Sequence, residues 1–338
     1  MTRSKVSRRT FIRLALLGGI GAGLAYIQHQ TAEFGMLNFI RWSLRGQLQR
    51  LRPAAIVGLG KCSSYDEDLV SYIRDLWNLS DMPDLRGKNI LVKPNLLDEV
   101  DNNLATTSPK VVSAVLELLS DLGVSKVVVG EGSAFRRDTY SVVKSSGLAQ
   151  VLDSRSVPFI DLNYDELVPV KVSDGWVRNT DTLWLPRCVH EADFIISIPK
   201  LKAHHWAGVT LSLKNLLGVI PGSRYGWPKN IIHINGINPT ILGLYQSLPP
   251  VVSIIDGIIG MEGNGPLFGK PVQHGLLAVG SDPLAVDIIC AQLMGFSIDS
   301  IAHLSGAAWA GIGQAKKIET RGVSPEMLQK YYEAPPTL

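Results

Sequence analysis

Two adjacent histidines and three lysines lie within residues 197–222, a segment that is otherwise apolar and punctuated by glycines. Imidazole changes charge near neutral pH, so His204 is the candidate general acid or base. Lysine is rarely buried unless it is paired or bound to a ligand, and Lys214 is flanked by leucines. We therefore expect Lys214 to act as a charge partner or a covalent tether, with Asp256 or Glu262 as its carboxylate neighbour.

The same segment also allows a simpler interpretation. Lys200 and Lys202 are equally compatible with charges on a solvated loop, and His205 with a packing neighbour of Trp206. Adjacent residues of a strand point to opposite faces, so the histidine pair alone does not indicate a metal site.

A second polar stretch, residues 256–271, is rich in glycine and proline. This composition predicts a long shaped loop whose backbone approaches a ligand closely, with Glu262 and Asn264 projecting from it. Further basic residues, Arg224, Lys229 and His233, follow the Pro221-Gly222 pair in residues 222–239 and could clamp an anionic group, with Arg224 expected to bind it. Plain surface loops are the alternative for both stretches.

Strands and helices must position these side chains, and from residue 53 onward they alternate along the chain. Short apolar runs predict strands at residues 89–96, 125–133, 157–163, 193–200, 251–257 and 274–282, and a hairpin at residues 168–185. Helical patterns cover residues 107–123, 138–152, 238–248 and 282–295. In the first of these, Ser108 is the expected N-cap, Pro109 the first helical residue and Gly123 the C-terminal stop. This order predicts an α/β fold with a mostly parallel sheet and helices on both faces, in one domain or in two lobes around a central cleft.

Parallel strands end at one edge of their sheet, and ligands of α/β proteins bind there. Several of the predicted strands end in polar residues, which together predict a cleft for a small anionic ligand. Binding is expected from Lys93, Asn95, Ser133, Lys200, Lys202, Asn215, Arg224 and Asn264. Catalysis is expected from His204, Lys214, Asp256 and Glu262.

Composition narrows the classes of function. The chain has 338 residues and a formal net charge of +3, and much of its basic excess lies within the first 52 residues. The nearly neutral body has no basic stripe, which excludes nucleic-acid binding. Cys62, Cys188 and Cys290 have no Cys-x-x-Cys spacing, so we expect no iron–sulfur cluster or structural zinc held by cysteines of this chain.

Residues 1–30 predict export. Twin arginines, Arg8 and Arg9, precede a glycine-rich apolar run, as in the twin-arginine signal that exports folded proteins. We expect a periplasmic or other extracytoplasmic location, with the N-terminus either cleaved or kept as a membrane anchor. Residues 31–53 form an amphipathic, arginine-rich segment that either lies on anionic lipid or packs on the body by its apolar stripe.

The motifs IPKLKAHHWAGVTLSLKNLLGVIPG, IIDGIIGMEGNGP and GSDPLAVDIICAQLMG resemble the bacterial and archaeal family described as domain of unknown function 362. The resemblance covers roughly residues 54–312 and implies an α/β domain over residues 54–332. Members of that family often carry a ferredoxin-type cysteine module. The chain lacks those cysteines, so a redox role implies a separate ferredoxin-type partner.

A more distant resemblance is to lactate racemase, in which a lysine and a histidine hold a tethered nickel-pincer nucleotide. It implies Lys214 as the tether, His233 as the nickel ligand and His204 as the group that moves a proton. That family's other catalytic histidine has no counterpart here, where the chain reads GEGSAFRRDTY. Two functions are therefore expected: an enzyme of the isomerase or racemase type, or a non-catalytic carrier of a ligand or cofactor.

Overall fold

The computed structural model describes residue 19 and residues 36–97, 104–133, 138–172, 175–177, 180–227 and 229–338. The predicted signal at residues 1–30 lies outside the described residues except for residue 19, and so does 31–35 of the predicted amphipathic segment. Across the described part, no helix combines the length and the apolar character needed to cross a bilayer.

The strands are β1 (Ala55–Lys61), β2 (Asn89–Pro94), β3 (Lys126–Glu131), β4 (Phe159–Asp161), β5 (Leu167–Lys171), β6 (Thr182–Pro186), β7 (Phe194–Ile198), β8 (Lys200–His204), β9 (Gly208–Thr210), β10 (Val251–Asn264), β11 (Phe268–Gly280) and β12 (Ile318–Gly322). The helices are α1 (Met36–Leu48), α2 (Leu69–Leu79), α3 (Pro109–Asp121), α4 (Thr139–Ser145), α5 (Leu148–Ser154), α6 (Arg187–His190), α7 (Ser212–Asn215), α8 (Gly222–Tyr225), α9 (Asn230–Asn235), α10 (Ile237–Ser247), α11 (Pro283–Leu293), α12 (Ala302–Ala310) and α13 (Pro325–Leu328).

The main sheet of the described chain has the strand order β12-β1-β11-β10-β7-β2-β3-β4, and β8 extends it beside the second half of β10. Neighbouring strands along this order are parallel except at β11, which runs antiparallel to both β1 and β10. Strand β9 runs antiparallel to β8, and β5 and β6 form a separate two-stranded sheet. The predicted mostly parallel α/β sheet is confirmed.

Helices cover both faces of this sheet, because alternate residues of its central strands point into different apolar cores. Ile90 and Ile196 face a core that also contains the buried sides of α2 to α5. Leu91 and Ile195 face a second core formed with α10, α11 and α12. Central strands buried on both sides explain the continuous apolar runs in the sequence.

Helix α3 begins and ends at the residues that its sequence indicates. The Ser108 side chain accepts a hydrogen bond from Lys110 N, Pro109 occupies the first helical position, and Gly123 follows the helix with φ of +70°. The Ser108 backbone N–H donates to Asp256 Oδ2 at 2.8 Å. The N-terminus of α3 is thereby fixed to β10.

Residues 256–271 do not form the predicted loop. They belong to the long hairpin of β10 and β11, which are paired from Ser253 to Asn264 around one register shift. A Cβ atom at Gly257 would lie 2.9 Å from Leu276 O, and one at Gly260 would lie 3.0 Å from Leu201 O. The prediction was wrong because these glycines allow close approach of neighbouring backbone within a strand, whereas the sequence indicated loop flexibility.

Helix α1 packs on the body by one side. The Trp42 ring stacks on Trp176 with ring centroids 3.6 Å apart and an angle of 9° between the planes. Beyond the helix, Gln49 Nε2 donates to Ala308 O at 3.1 Å. The described part of the predicted amphipathic segment is thus held against α12 and the region before β6.

Candidate functional site

A cavity of about 340 Å³ lies at the carboxyl edge of the sheet, a size typical of sites for small molecules. Its wall is formed by the residues that follow β2 and β3, by the end of β8, and by α7, α9 and the turns between them. Five predicted site residues line it: Asn95, His204, Lys214, Asn215 and His233. The parallel strands bring these distant positions together, as the sequence argument requires.

A buried ion pair between Lys93 and Glu131 supports the wall of the cavity. Lys93 Nζ donates to Glu131 Oε2 at 2.6 Å and to Asn215 Oδ1 at 3.3 Å, and both charged side chains are fully buried. Glu131 also accepts hydrogen bonds from the backbone N–H groups of Leu96 and Gly132. A Cβ atom at Gly218 would lie 2.6 Å from Lys93 Nζ. Only glycine therefore leaves room for the ion pair at this position.

Helix α7 carries Lys214, and its position is set by polar contacts at both ends. At its start, the buried carboxylate of Asp287 accepts hydrogen bonds from Ser212 N and Leu213 N, each at 2.8 Å. At its end, Asn215 Nδ2 donates to Lys93 O and to Ser197 Oγ, each at 3.1 Å. This short helix is therefore anchored to β2, β7 and α11 despite having only four residues.

The Lys214 ammonium group makes no hydrogen bond or ion pair within the part of the chain that the structure describes. Burial lowers the pKa of Lys214 to about 8, the charge of Lys93 acts in the same direction, and Glu131 opposes both. The predicted carboxylate partners are wrong, because Asp256 binds Lys200 and Glu262 accepts a hydrogen bond from a backbone N–H. Lys214 thus presents a cation to the cavity, and no carboxylate among the described residues is paired with it.

Lys229 is a second cavity cation, which the sequence placed in the possible anion clamp but not among the expected binding residues. Its Nζ donates to Gly132 O at 3.0 Å and to Gly218 O at 3.2 Å, and burial lowers the pKa of Lys229 to about 7. Arg224, the predicted clamp, is exposed instead, with its guanidinium 5.5 Å from the centre of the Trp184 ring. Both residues follow the same Pro-Gly pair, so the sequence contains no signal that separates them.

The other two lysines of the opening segment lie on buried strand β8, so the solvated-loop interpretation is wrong. Lys200 pairs with Asp256 at 3.2 Å, and Tyr65 Oη donates to the same carboxylate at 2.7 Å. Lys202 Nζ donates to Ala105 O at 2.6 Å. Burial and the charges of neighbouring lysines hold the pKa of Lys202 well below its usual range. None of these groups lines the cavity.

Three more predicted site residues lie away from the cavity wall. Ser133 is buried, and its hydroxyl donates to Leu96 O at 3.2 Å, which supports the chain that lines the cavity. Glu262 and Asn264 lie toward the tip of the β10–β11 hairpin, and Glu262 Oε2 accepts a hydrogen bond from Glu333 N at 2.9 Å. The Glu262 side chain is thus directed toward the C-terminal segment, and Asn264 is exposed near the tip of the hairpin.

His204 differs from its expected role. Its Nδ1 accepts hydrogen bonds from Trp206 N at 3.1 Å and Ala207 N at 3.2 Å. Burial, followed by the charges of Lys214 and Lys202, holds the pKa of His204 well below its usual range. The expectation that this imidazole titrates near neutral pH is wrong, and it lines the cavity as a neutral ring.

The two other cavity histidines pack differently from the sequence interpretation. His205 stacks on His204 with ring centroids 5.1 Å apart, whereas Trp206 stacks on His233 at 4.7 Å. Among the described residues, no three histidine, cysteine or acidic side chains are grouped so that they could hold a metal ion.

Fold and site together define an α/β protein with a cation-lined cavity at the carboxyl edge of its sheet. The chain belongs to the family described as domain of unknown function 362, which residues 90–292 match. The family resemblance read from the sequence is confirmed.

A thylakoid-associated protein of Synechocystis sp. is 30% identical over 211 residues, which are 62% of this chain and 63% of that protein. The chain thus spans less than two thirds of that relative. The lactate racemase apoprotein of Thermoanaerobacterium thermosaccharolyticum is similar with 16% identity and a TM-score of 0.43, covering 74% of this chain and 59% of that one. A protein of Thermotoga maritima is similar with 13% identity and a TM-score of 0.36, covering 66% and 56%. The residues of the cavity itself are therefore the basis for assigning a function.

Proposed function

We propose that the cavity binds a small anionic ligand, with Lys214 and Lys229 as its counter-charges. One observation carries this proposal: both ammonium groups lie at the cavity wall, and neither forms an ion pair with a carboxylate among the described residues. Glu131, the one carboxylate that the described residues contribute to the lining, is already bound to Lys93. An anion in the cavity would therefore supply the charge that the two lysines lack.

The energetic argument is one of desolvation. An ammonium group removed from water without a carboxylate partner loses hydration that carbonyl contacts replace only in part, which is why both pKa values are lowered. A bound carboxylate, phosphate or sulfate would form charge-assisted hydrogen bonds worth about 1.5–3 kcal/mol each. Apolar neighbours such as Leu217 and Ile232 would exclude water from those contacts.

A sulfate titration across pH tests this function, because the charge of sulfate does not change near neutrality. Affinity is expected to fall as the pH rises through about 7 and about 8, where Lys229 and Lys214 lose their protons. Without sulfate, the pH dependence of the free energy of unfolding has the opposite sign to that of sulfate affinity. The unfolded lysines still bind protons up to their ordinary pKa of 10.5, so the free energy of unfolding should rise with pH between about 7 and 10.5. Calorimetry that shows no binding, or a pH-independent affinity, would contradict the proposal.

A second candidate function is the carriage of a lysine-tethered cofactor, for which the nickel-pincer nucleotide is the candidate implied by the sequence resemblance. The unpaired amine of Lys214, with a pKa near 8, is suited to form a covalent link. His233 lies in the same wall and would be the single protein ligand of the metal. Such a group, when bound, would supply hydride-type or proton-transfer chemistry.

The contacts of His204 bear on whether a bound group would be used for racemase-type catalysis. Its Nδ1 is occupied by two backbone N–H groups, so this nitrogen cannot take a proton from a substrate. A carrier that works with a separate iron–sulfur protein does not require His204 to take a proton from a substrate.

Native mass spectrometry of the exported protein would show any covalently bound mass and its metal.

We further propose that the protein is exported by the twin-arginine route and lies against a membrane surface through the segment 31–53. Support comes from helix α1 and the turn after it. Leu44, Leu48 and Leu51 are 71%, 56% and 82% exposed and follow the spacing of one helix face, while Trp42 holds the opposite side on the body. An exposed apolar stripe with arginines beside it suits the interface of an anionic bilayer.

Vesicle binding tests the membrane surface. Replacing Leu44, Leu48 and Leu51 together with serine is expected to lower the affinity of the full chain for phosphatidylglycerol vesicles by about tenfold or more, because their apolar area can no longer enter the lipid. Phe268→Ser, at an 80% exposed position on the hairpin, is the matched control and should bind as the wild type does. Equal binding by the triple variant and the wild type would refute this surface.

A further inference from the structure

The adjacent histidines in the cavity wall use the same ring nitrogen in opposite ways. His204 Nδ1 receives the backbone N–H groups of Trp206 and Ala207, so it must carry a lone pair. His205 Nδ1 lies 2.7 Å from Gly265 O, and a carbonyl oxygen can only accept. The Nδ1 of His205 must therefore carry a proton. The backbone sets both tautomers.

The remaining nitrogens of the two rings then differ as well. In a neutral imidazole one nitrogen is a donor and the other an acceptor. In the neutral forms of the two rings, the Nε2 of His204 therefore bears the proton and the Nε2 of His205 bears a lone pair. The two rings are stacked with centroids 5.1 Å apart and an angle of 19° between their planes, and both line the cavity. A donor and an acceptor thus stand side by side in one wall.

We propose that His205 is the hydrogen-bond acceptor of the cavity and that it acts together with His204 to recognise a ligand group that carries a polar hydrogen. The inference rests on the proposed anion-binding function, because Lys214 and Lys229 would hold the charged end of the same ligand. From the sequence, His204 is the expected acid or base and His205 a packing neighbour of Trp206. This proposal gives the accepting role to His205 instead. The ligand class is a small anion that also bears an O–H or N–H group.

The contacts around His205 agree with this assignment. Its backbone N–H also donates to Gly265 O, at 2.8 Å, so the residue is held at two points to one carbonyl group. His205 is exposed and lines the cavity, whereas His204 is 6% exposed and carries the two backbone contacts on its Nδ1. A ligand can therefore reach the lone pair of His205, while His204 can offer only its Nε2 proton.

The tautomers are tested directly by nitrogen-15 NMR of histidine-labelled full-length protein at neutral pH. The expected result is an Nδ1–H ring for His205 and an Nε2–H ring for His204, assigned with single His205→Phe and His204→Phe variants. Two rings with the same tautomer would overturn the proposal. This measurement needs no ligand, so it decides the assignment even if the cavity binds no anion.

Recognition of the polar hydrogen is tested with two anions of matched shape, sulfamate and methanesulfonate, of which only sulfamate carries N–H groups. The wild type is expected to bind sulfamate about three- to tenfold more tightly, the effect of one hydrogen bond. His205→Phe should lose this preference while keeping its affinity for methanesulfonate. Equal affinities in the wild type would overturn the role of His205. Failure of both anions to bind would instead refute the proposed function and leave the NMR result as the test of the tautomers.

Discussion

Replacing Lys93 with methionine is expected to lower the free energy of unfolding by about 3–5 kcal/mol. The side chain is fully buried, and its Nζ lies 2.6 Å from Glu131 Oε2, so its removal leaves a carboxylate without a counter-charge inside the protein. Methionine keeps the length of the side chain and limits the cavity that forms. Urea denaturation at pH 7 measures the effect.

The matched control is Lys110→Met, which breaks an exposed pair with Asp66 and should cost less than about 1 kcal/mol. Combining Lys93→Met with Glu131→Gln should restore much of the loss, because a buried pair removed as a unit leaves no unpaired charge. If Lys93→Met were no more harmful than Lys110→Met, the pair would not be the support that we describe.

Replacing Lys214 with methionine is expected to leave stability unharmed and to weaken ligand binding. The fold should stay intact and its free energy of unfolding should be unchanged or slightly higher, because the ammonium group is desolvated and makes no hydrogen bond within the described chain. The affinity for sulfate should fall by about 10- to 100-fold, the effect of one charge-assisted contact. Calorimetry and urea denaturation on the same preparation separate the two results.

Lys110→Met again serves as the control and should bind sulfate as the wild type does. An unfolded Lys214→Met variant would show that Lys214 is structural, and unchanged sulfate affinity would show that it does not face the ligand. The variant also tests the cofactor hypothesis. A covalent mass found on natively produced wild type but absent from Lys214→Met would identify the tether.

The fold follows from local patterns in the sequence to a large extent. The cap and stop residues of α3, the apolar runs of β2, β3 and β7, and the helices α10 and α11 appear where the patterns predict them. The predicted helix at residues 138–152 is divided into α4 and α5, with Gly147 at φ of +85° between them. The β10–β11 hairpin was missed because glycine in a crowded strand and glycine in a loop look alike in a single sequence.

The site was less predictable because it depends on strand order. His204 and Lys214 stand out by their residue type, and both line the cavity. The partners of the other lysines depend on which strands are neighbours: β2 lies beside β3, which brings Lys93 to Glu131, and β8 lies beside β10 in a register that pairs Lys200 with Asp256. No local pattern contains that information.

The antiparallel strand β11 has a consequence for the order in which the chain can fold during synthesis. Strand β1 hydrogen-bonds only to β11 and β12 within the described sheet, and both lie far from it along the chain. Strand β1 therefore waits for its partners until β11 has been synthesised, and such distant pairings form slowly. A chain that stops before β11 would display two open strand edges, at β1 and at β10, and would be prone to aggregate.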